Sequence, residues 1–311
     1  MQSRPFLAVS VEDQIIPCIE RKGPLTGMEL RAELGGDPFL IWKSCLRSHH
    51  LSVRRVGTRF LRLDQRVEGF ARLSPSILRE FLTYSVVGIA GDVNALEHRA
   101  QDLSAHIRQV SERKRDLARN IVAEIAGRFG IDWVGDEHLC VMIAGDIVYD
   151  MAHDVPRPER STGKMVNGSD LDLIFILDDR VPDAVMQKLD EAIYKMKYLH
   201  LINPSVREEI DYVVKKFGRM REQAAFDTFR RMVACKILQE GMLLYGSKAL
   251  FQTAKSLLDE YRVTEKLEAM NKEAEQVRQQ AEAYLLGEHP DGMHAEDIYL
   301  FYTAEESEEF E

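Results

Sequence analysis

Two aspartates one residue apart, Asp170 and Asp172, open an apolar run in the stretch NGSDLDLIFILDD, residues 167–179. In an extended strand side chains alternate, so both carboxylates point to one face while Leu171 and Leu173 point to the other. Carboxylates held that close repel one another, and burial raises the cost; a divalent cation between them relieves it. Oxygen ligands without a neighbouring His or Cys suit Mg²⁺ or Mn²⁺, which also bind substrate phosphates. A third acid is offered by REEIDYVVKK, where Asp211 interrupts an apolar alternation between Ile210 and Tyr212 and Glu209 shares its face. Two cations about 3.5–4 Å apart on such a seat would activate an attacking hydroxyl and hold a triphosphate with its leaving group. That is the chemistry of in-line displacement at phosphorus.

The elements that must position these acids read as strands alternating with helices. Strands are expected at 138–144, 170–177 and 209–215, with a helix at 183–199 between the last two. From Ala224 the chain reads as helical to Leu286, interrupted by EGMLLYGS. Upstream, VEDQIIPCIERKG and LTGMELRAELGG carry helical spacing and end in Gly, and DPFLIWKSCLRSHH opens on an Asp-Pro cap. LSVRRVGTRFLRL then alternates around Gly57, as a two-stranded ribbon would. This order resembles a winged helix-turn-helix, with 38–50 as recognition helix and 51–63 as wing. A Ser74-Pro75 start introduces a linker helix, and a long charged helix runs from Asp92 to about Phe129, suited to an arm, a dimer coil or a spacer.

The strand VMIAGD, the segment GKMVNGSDLDLIFI, a helix, EIDYVVK and a later EGMLLYGS together resemble nucleotidyltransferases of the DNA polymerase beta superfamily over about residues 112–250. In that family a Gly-Ser pair after the first strand meets the nucleotide phosphates, an Asp-x-Asp in the next strand binds the metals, and a third Asp follows in a later strand. The resemblance implies that Asp170, Asp172 and Asp211 are both catalytic residues and ligands for Mg²⁺ or Mn²⁺, and that Gly145 lies in the phosphate loop. Two departures stand out: Asp146 takes the place of the expected Ser, and AHDVPRPERSTGK is an apparent insertion before the metal strand. Arg157, Arg160, Ser161, Thr162 and Lys164 from that insertion supply donors able to hold a triphosphate. The candidate nucleotide-binding residues are thus Gly145, Asp146, Arg160, Ser161, Lys164 and Ser169, with Asp146 reading as a cap or loop acid rather than a fourth metal ligand.

An α+β protein is therefore expected: a winged-helix-like domain at 1–68, a helical connector at 69–130, a nucleotidyltransferase core at 131–222, a helical region at 223–286 and an acidic tail at 287–311. Its activity would be transfer of a nucleoside monophosphate from a nucleoside triphosphate to an acceptor hydroxyl, an RNA 3′ end being favoured. The basic residues Lys43, Arg47, Arg54, Arg55 and Arg59 suit phosphate contacts on a nucleic acid. The alternative is a DNA-binding regulator whose degenerate transferase domain only senses a nucleotide. The net charge of −10 describes the tail: residues 281–311 hold ten of the 51 acids and no Lys or Arg, and the remaining 41 acids match 41 bases. Four scattered cysteines without CxxC spacing fit a reducing, cytoplasmic setting, no apolar run suggests a membrane span, and a homodimer through the long helix is conceivable.

Overall fold

In a computed structural model, residues 10–128, 136–159, 161–287 and 297–303 are described. The chain is α+β. Its first elements are α1 (Val11–Lys22), β1 (Leu25–Thr26), α2 (Gly27–Leu34), α3 (Pro38–Arg47), β2 (Leu51–Arg55), β3 (Phe60–Leu63), β4 (Ala71–Ser74), α4 (Ile77–Tyr84), β5 (Ser85–Ile89) and α5 (Val93–Arg128). The central elements are β6 (Leu139–Ala144), β7 (Pro156–Pro158), β8 (Met165–Asn167), β9 (Leu171–Leu177), α6 (Asp183–Ile202) and β10 (Ile210–Lys216). Then come α7 (Phe217–Gln223), α8 (Phe229–Glu240), β11 (Met242–Gly246), α9 (Lys248–Glu260), α10 (Val263–Leu286) and α11 (Ile298–Phe301).

Two compact units divide the chain, and neither is a continuous segment. The first takes residues to Arg59, Ser74–His106 and those from Gln276 onward; the second takes Phe60–Leu73 and Ile107–Glu275. Their borders fall at 59/60, 73/74, 106/107 and 275/276, beside the expected domain limits at 68, 130 and 222.

In the first unit, α1 and α2 begin with reciprocal capping boxes at Ser10/Asp13 and Thr26/Glu29, and Asp37 caps α3 ahead of Pro38. The ribbon expected at 51–63 does not form. β2 instead pairs antiparallel with β5, from Leu51↔Ile89 to Arg55↔Ser85, giving a three-stranded sheet in the order β1-β5-β2. The physical reason is apolarity: Val86 and Val87 are fully buried and compete for the middle position better than Phe60–Leu63, which pairs with β4 inside the second unit. Part of the expected acidic tail is structured, because Phe301 is 1 % exposed and meets Phe39 edge-on at 5.2 Å and Trp42 at 5.2 Å. Shrinking that ring in Phe301→Leu is expected to cost about 1 kcal/mol, read as a fall of a few degrees in melting temperature.

The second unit holds a four-stranded sheet in the order β10-β9-β6-β11. β9 and β10 run parallel, as a strand-helix-strand unit with α6 requires, while β6 and β11 are antiparallel to their neighbours. Alternation divides β9 cleanly. Leu171, Leu173, Phe175 and Leu177 join one core with α5 and α6, and Ile174 and Ile176 join another with α8, α9 and α10. EGMLLYG, expected to break a helical region, is β11 of the sheet, and the helices from α8 to the first part of α10 pack on the sheet's core. The long helix α5 is not a free arm. Val110, Ala118, Ile121, Val122 and Ile125 sink its second half into the second unit's core, burying the stripe that a dimer seam would use.

Candidate metal and nucleotide site

Register sets the site. Asp211 of β10 lies beside Asp172 of β9 in the parallel pairing, and Ala144, the last residue of β6, lies beside Asp172 on its other side. Asp170, two residues before Asp172, shares its face. Each of Asp170, Asp172 and Asp211 offers a carboxylate oxygen within 4.8 Å of the others. Adjacent strands bring together acids that are 41 residues apart in sequence between Asp170 and Asp211. Burial, followed by the charges of Asp170, Asp211 and Asp146, raises the Asp172 carboxyl well above the ordinary value, against the opposing charge of Arg62. An all-carboxylate set in mutual repulsion is the donor chemistry of a hard divalent cation, so these residues fit Mg²⁺ or Mn²⁺.

Gly145 follows β6 directly and turns the chain with φ of +73°. A Cβ there would collide with the Asp172 carboxylate, so glycine is required both for the backbone conformation and for the close approach. Its N–H donates to Glu240 Oε1 at 3.1 Å. The second oxygen of Glu240 accepts from Tyr149 Oη at 3.0 Å and Lys236 Nζ at 2.5 Å. Burial and the neighbouring Glu240 raise the Tyr149 hydroxyl far above its usual range. Phe60 stacks on Tyr149 at 4.0 Å. Gly145, Phe60, Lys236 and Glu240 border a cavity of about 170 Å³ that reaches Asp172 and is lined also by Arg62 and the apolar Leu61, Leu63 and Ile237.

The donors expected from the insertion are committed elsewhere. Arg157 is buried: its Nε donates to Gly168 O at 2.9 Å, and its terminal nitrogen pairs with Glu209 at 2.9 Å and lies 3.9 Å from Asp170. It is paired with the carboxylates of the site. Ser169 is buried too, donating to Asp146 Oδ2 at 3.1 Å and accepting from the His153 N–H at 3.1 Å. Asp146 thus anchors the turn that follows Gly145. The hydroxyls of Ser161 and Thr162 both donate to Glu159 at 2.6 Å, Lys164 is exposed beyond them, and Arg160 lies outside the described residues.

Glu159 accepts four bonds, from those two hydroxyls and from the N–H groups of Ser161 and Thr162, which outweigh the opposing effect of its burial and hold its carboxyl down to about 2 from 4.5. A depressed folded-state pKa means stability that is present above about pH 4.5 and lost as pH falls toward 2. Glu159→Gln should remove about 1–2 kcal/mol at neutral pH and flatten the melting temperature across that acid window.

The basic residues expected to meet nucleic acid are mostly paired within the first unit. Arg59 forks onto Glu80 at 2.5 and 2.7 Å and reaches Glu282 at 2.6 Å, Arg55 meets Glu80 at 3.4 Å, and Arg54 meets Glu97 at 3.2 Å. Lys43 donates to Gly287 O at 2.7 Å, and Arg47 is exposed on α3. Glu240 is not singled out by the sequence, and Lys236 reads there as the polar face of a helix that could approach a phosphate rather than as a residue of this site. Arg62 lay in the expected wing, and the i,i+4 spacing of Lys236 and Glu240 was its own signal, since such a pair on a buried face has something to hold.

No match to the chain is found among protein-family models, curated proteins or solved structures. Among the described residues, no helix is long and apolar enough to cross a membrane.

Proposed function

We propose that the chain is a metal-dependent nucleotidyltransferase, moving a nucleoside monophosphate from a triphosphate to an acceptor hydroxyl with release of pyrophosphate. The observation that carries this reading is the convergence of Asp170, Asp172 and Asp211 from two adjacent strands, with the Cα of Gly145 against Asp172. A divalent cation bound by the three carboxylates would lower the pKa of the attacking hydroxyl and offset charge developing at phosphorus. Arg157 fixes Asp170 and Glu209, so the seat is preorganised from its buried side. Lys197 Nζ donates to Asp211 Oδ1 at 2.7 Å, holding the outermost acid toward the site. Arg62 and Lys236 line the adjoining cavity, where the triphosphate's charge is met. For the first unit, the order α1-β1-α2-α3-β2-β5 supports a winged-helix module.

One observation favours a second reading. The Gly145 N–H, which the family resemblance gives to a phosphate, is held by the Glu240 carboxylate, and Asp146 follows it. A regulator that binds a nucleotide without turning it over would tolerate both. Incubation of the protein with α-labelled triphosphates, Mn²⁺ and a mixed RNA pool separates the two. Transfer of label that is lost in Asp170→Ala/Asp172→Ala supports the enzyme; triphosphate-dependent thermal stabilisation with no transfer to any acceptor supports the regulator.

A further inference from the structure

Glu240 stands where two general rules disfavour it. It is the last residue of α8, at the negative end of the helix dipole, and it follows Lys236 by four residues, the weaker of the two orientations for such a pair. The helix itself gains nothing from a carboxylate there. Three donors hold it instead: the Gly145 N–H reaches Oε1 at 3.1 Å, while Tyr149 Oη at 3.0 Å and Lys236 Nζ at 2.5 Å reach Oε2. Lys236 also donates to Tyr149 Oη at 2.7 Å, and the Lys236 and Glu240 side chains are 7 % and 9 % exposed. A backbone N–H, a phenol and an ammonium thus converge on one buried anion.

That anion lies beside the acid seat. Gly145, Lys236 and Glu240 wall the cavity that reaches Asp172, and the Gly145 Cα rests against the Asp172 carboxylate. The charged side chains lining the cavity are Arg62, Lys236, Asp172 and Glu240, two of each sign, so Glu240 cancels a positive charge that a polyphosphate would otherwise meet. With a divalent cation on Asp170, Asp172 and Asp211 the balance tips, and a further anion is favoured. Glu240 can leave by its own side-chain torsions. The backbone behind it is fixed, because Gly241 packs so closely on Met142 and the Ile237 carbonyl that a Cβ would not fit.

We infer that Glu240 is an autoinhibitory stand-in for phosphate: it occupies the donors of Gly145, Tyr149 and Lys236 until a polyphosphate, arriving with the divalent cation, displaces it. One phosphate takes over the three charge-assisted donors while its neighbour reaches the acid seat's cation. The inference rests on the transferase reading for the presence of a polyphosphate in this cavity, but the displacement does not depend on turnover.

Calorimetric titration of pyrophosphate into the Mn²⁺-loaded chain tests it. Glu240→Gln is expected to bind pyrophosphate at least about tenfold more tightly than the native chain, since the amide keeps the side chain's shape but no longer competes as an anion for Lys236. Glu240→Asp retains the charge on a shorter side chain that stops short of Gly145, and should show part of the gain. Adding Lys236→Gln to Glu240→Gln should cancel it, because the released ammonium is what the ligand meets. Without pyrophosphate, Glu240→Gln should melt below the native chain, and pyrophosphate with Mn²⁺ should raise its melting temperature by more. A Glu240 that only holds the turn predicts the reverse: pyrophosphate binding equal to or weaker than the native chain's in both Glu240 variants overturns the inference. The two readings fail separately. Tighter pyrophosphate binding in Glu240→Gln with no label transfer by any form keeps the displacement and removes the enzyme, whereas label transfer by the native chain with pyrophosphate binding untouched in both variants keeps the enzyme and removes the displacement.

Discussion

Asp172→Asn is expected to abolish label transfer and, in the absence of divalent cation, to raise the melting temperature. The two effects have one cause. Asp172 lies between Asp170 and Asp211 with its carboxyl raised by burial and then by their charges, so the metal-free fold carries a repulsion that an amide of the same shape removes. Relief on the order of 1 kcal/mol corresponds to a rise of about 2–4 °C in a unit of this size. On the proposed reading the same substitution deletes the central ligand. A cation's charge stabilisation is worth several kcal/mol at the transition state, so its loss should slow transfer by at least about a thousandfold. Melting scans with and without Mn²⁺ check both halves. The native protein should be stabilised by Mn²⁺ and the variant should not; a variant that is less stable than the native chain without metal, yet still responds to Mn²⁺, would refute the assignment.

The pH dependence follows with a definite sign. A carboxyl whose pKa is raised on folding binds its proton more tightly in the folded state, so its contribution costs nothing below the ordinary carboxyl value and becomes destabilising as pH rises through the raised one. Asp172 behaves this way, and Glu208 and Glu209 add to it through burial that Lys114 and Arg157 only partly offset. The metal-free protein should therefore lose stability from about pH 4 upward, in the direction opposite to Glu159, and Mn²⁺ should restore it progressively at the higher pH. In Asp172→Asn that recovery should disappear while the acid-side loss from Glu159 remains.

How much of this was legible in the sequence depends on how local the signal is. The strands of the acid seat were readable to within a residue or two, because alternation and β-branched content are properties of the strand itself: 170–177 became Leu171–Leu177 and 209–215 became Ile210–Lys216. Their apposition was inferred from a family pattern, and the parallel register Asp172↔Asp211 is its geometric counterpart here. Pairing partners were not legible. LSVRRVGTRFLRL alternates well enough for a hairpin, yet its two halves lie in different units, since a choice between strand partners depends on Val86 and Val87 some 30 residues away. Side-chain commitments were the least readable. Arg157 and Ser169 look like phosphate donors in a list of residue types, and only burial shows that one holds Glu209 and the other ties down Asp146. Lys236 and Glu240 look like a solvated helical pair until β6 ends against them.

Gly145→Ala should be nearly as damaging as loss of a ligand, although it removes none. At φ of +73° an alanine is forced into the left-handed region, a cost of about 1–2 kcal/mol. Its methyl group also meets the Asp172 carboxylate, which is hemmed in by Asp170 and Asp211 and has nowhere to retreat without leaving the cluster. Either the β6 turn shifts, breaking the bond from the Gly145 N–H to Glu240, or Asp172 swings away. Both spoil the seat. Mn²⁺ affinity should fall at least tenfold, and the metal-free protein should lose about 1–3 kcal/mol, the strain of an overpacked site added to that of the backbone. A double-mutant cycle separates these contributions. In an Asp172→Ser background the added methyl has room, so Gly145→Ala should then cost only the backbone share, and the two substitutions should be less than additive. Full additivity would mean that the glycine is required for its φ alone and that its contact with Asp172 plays no part in shaping the site.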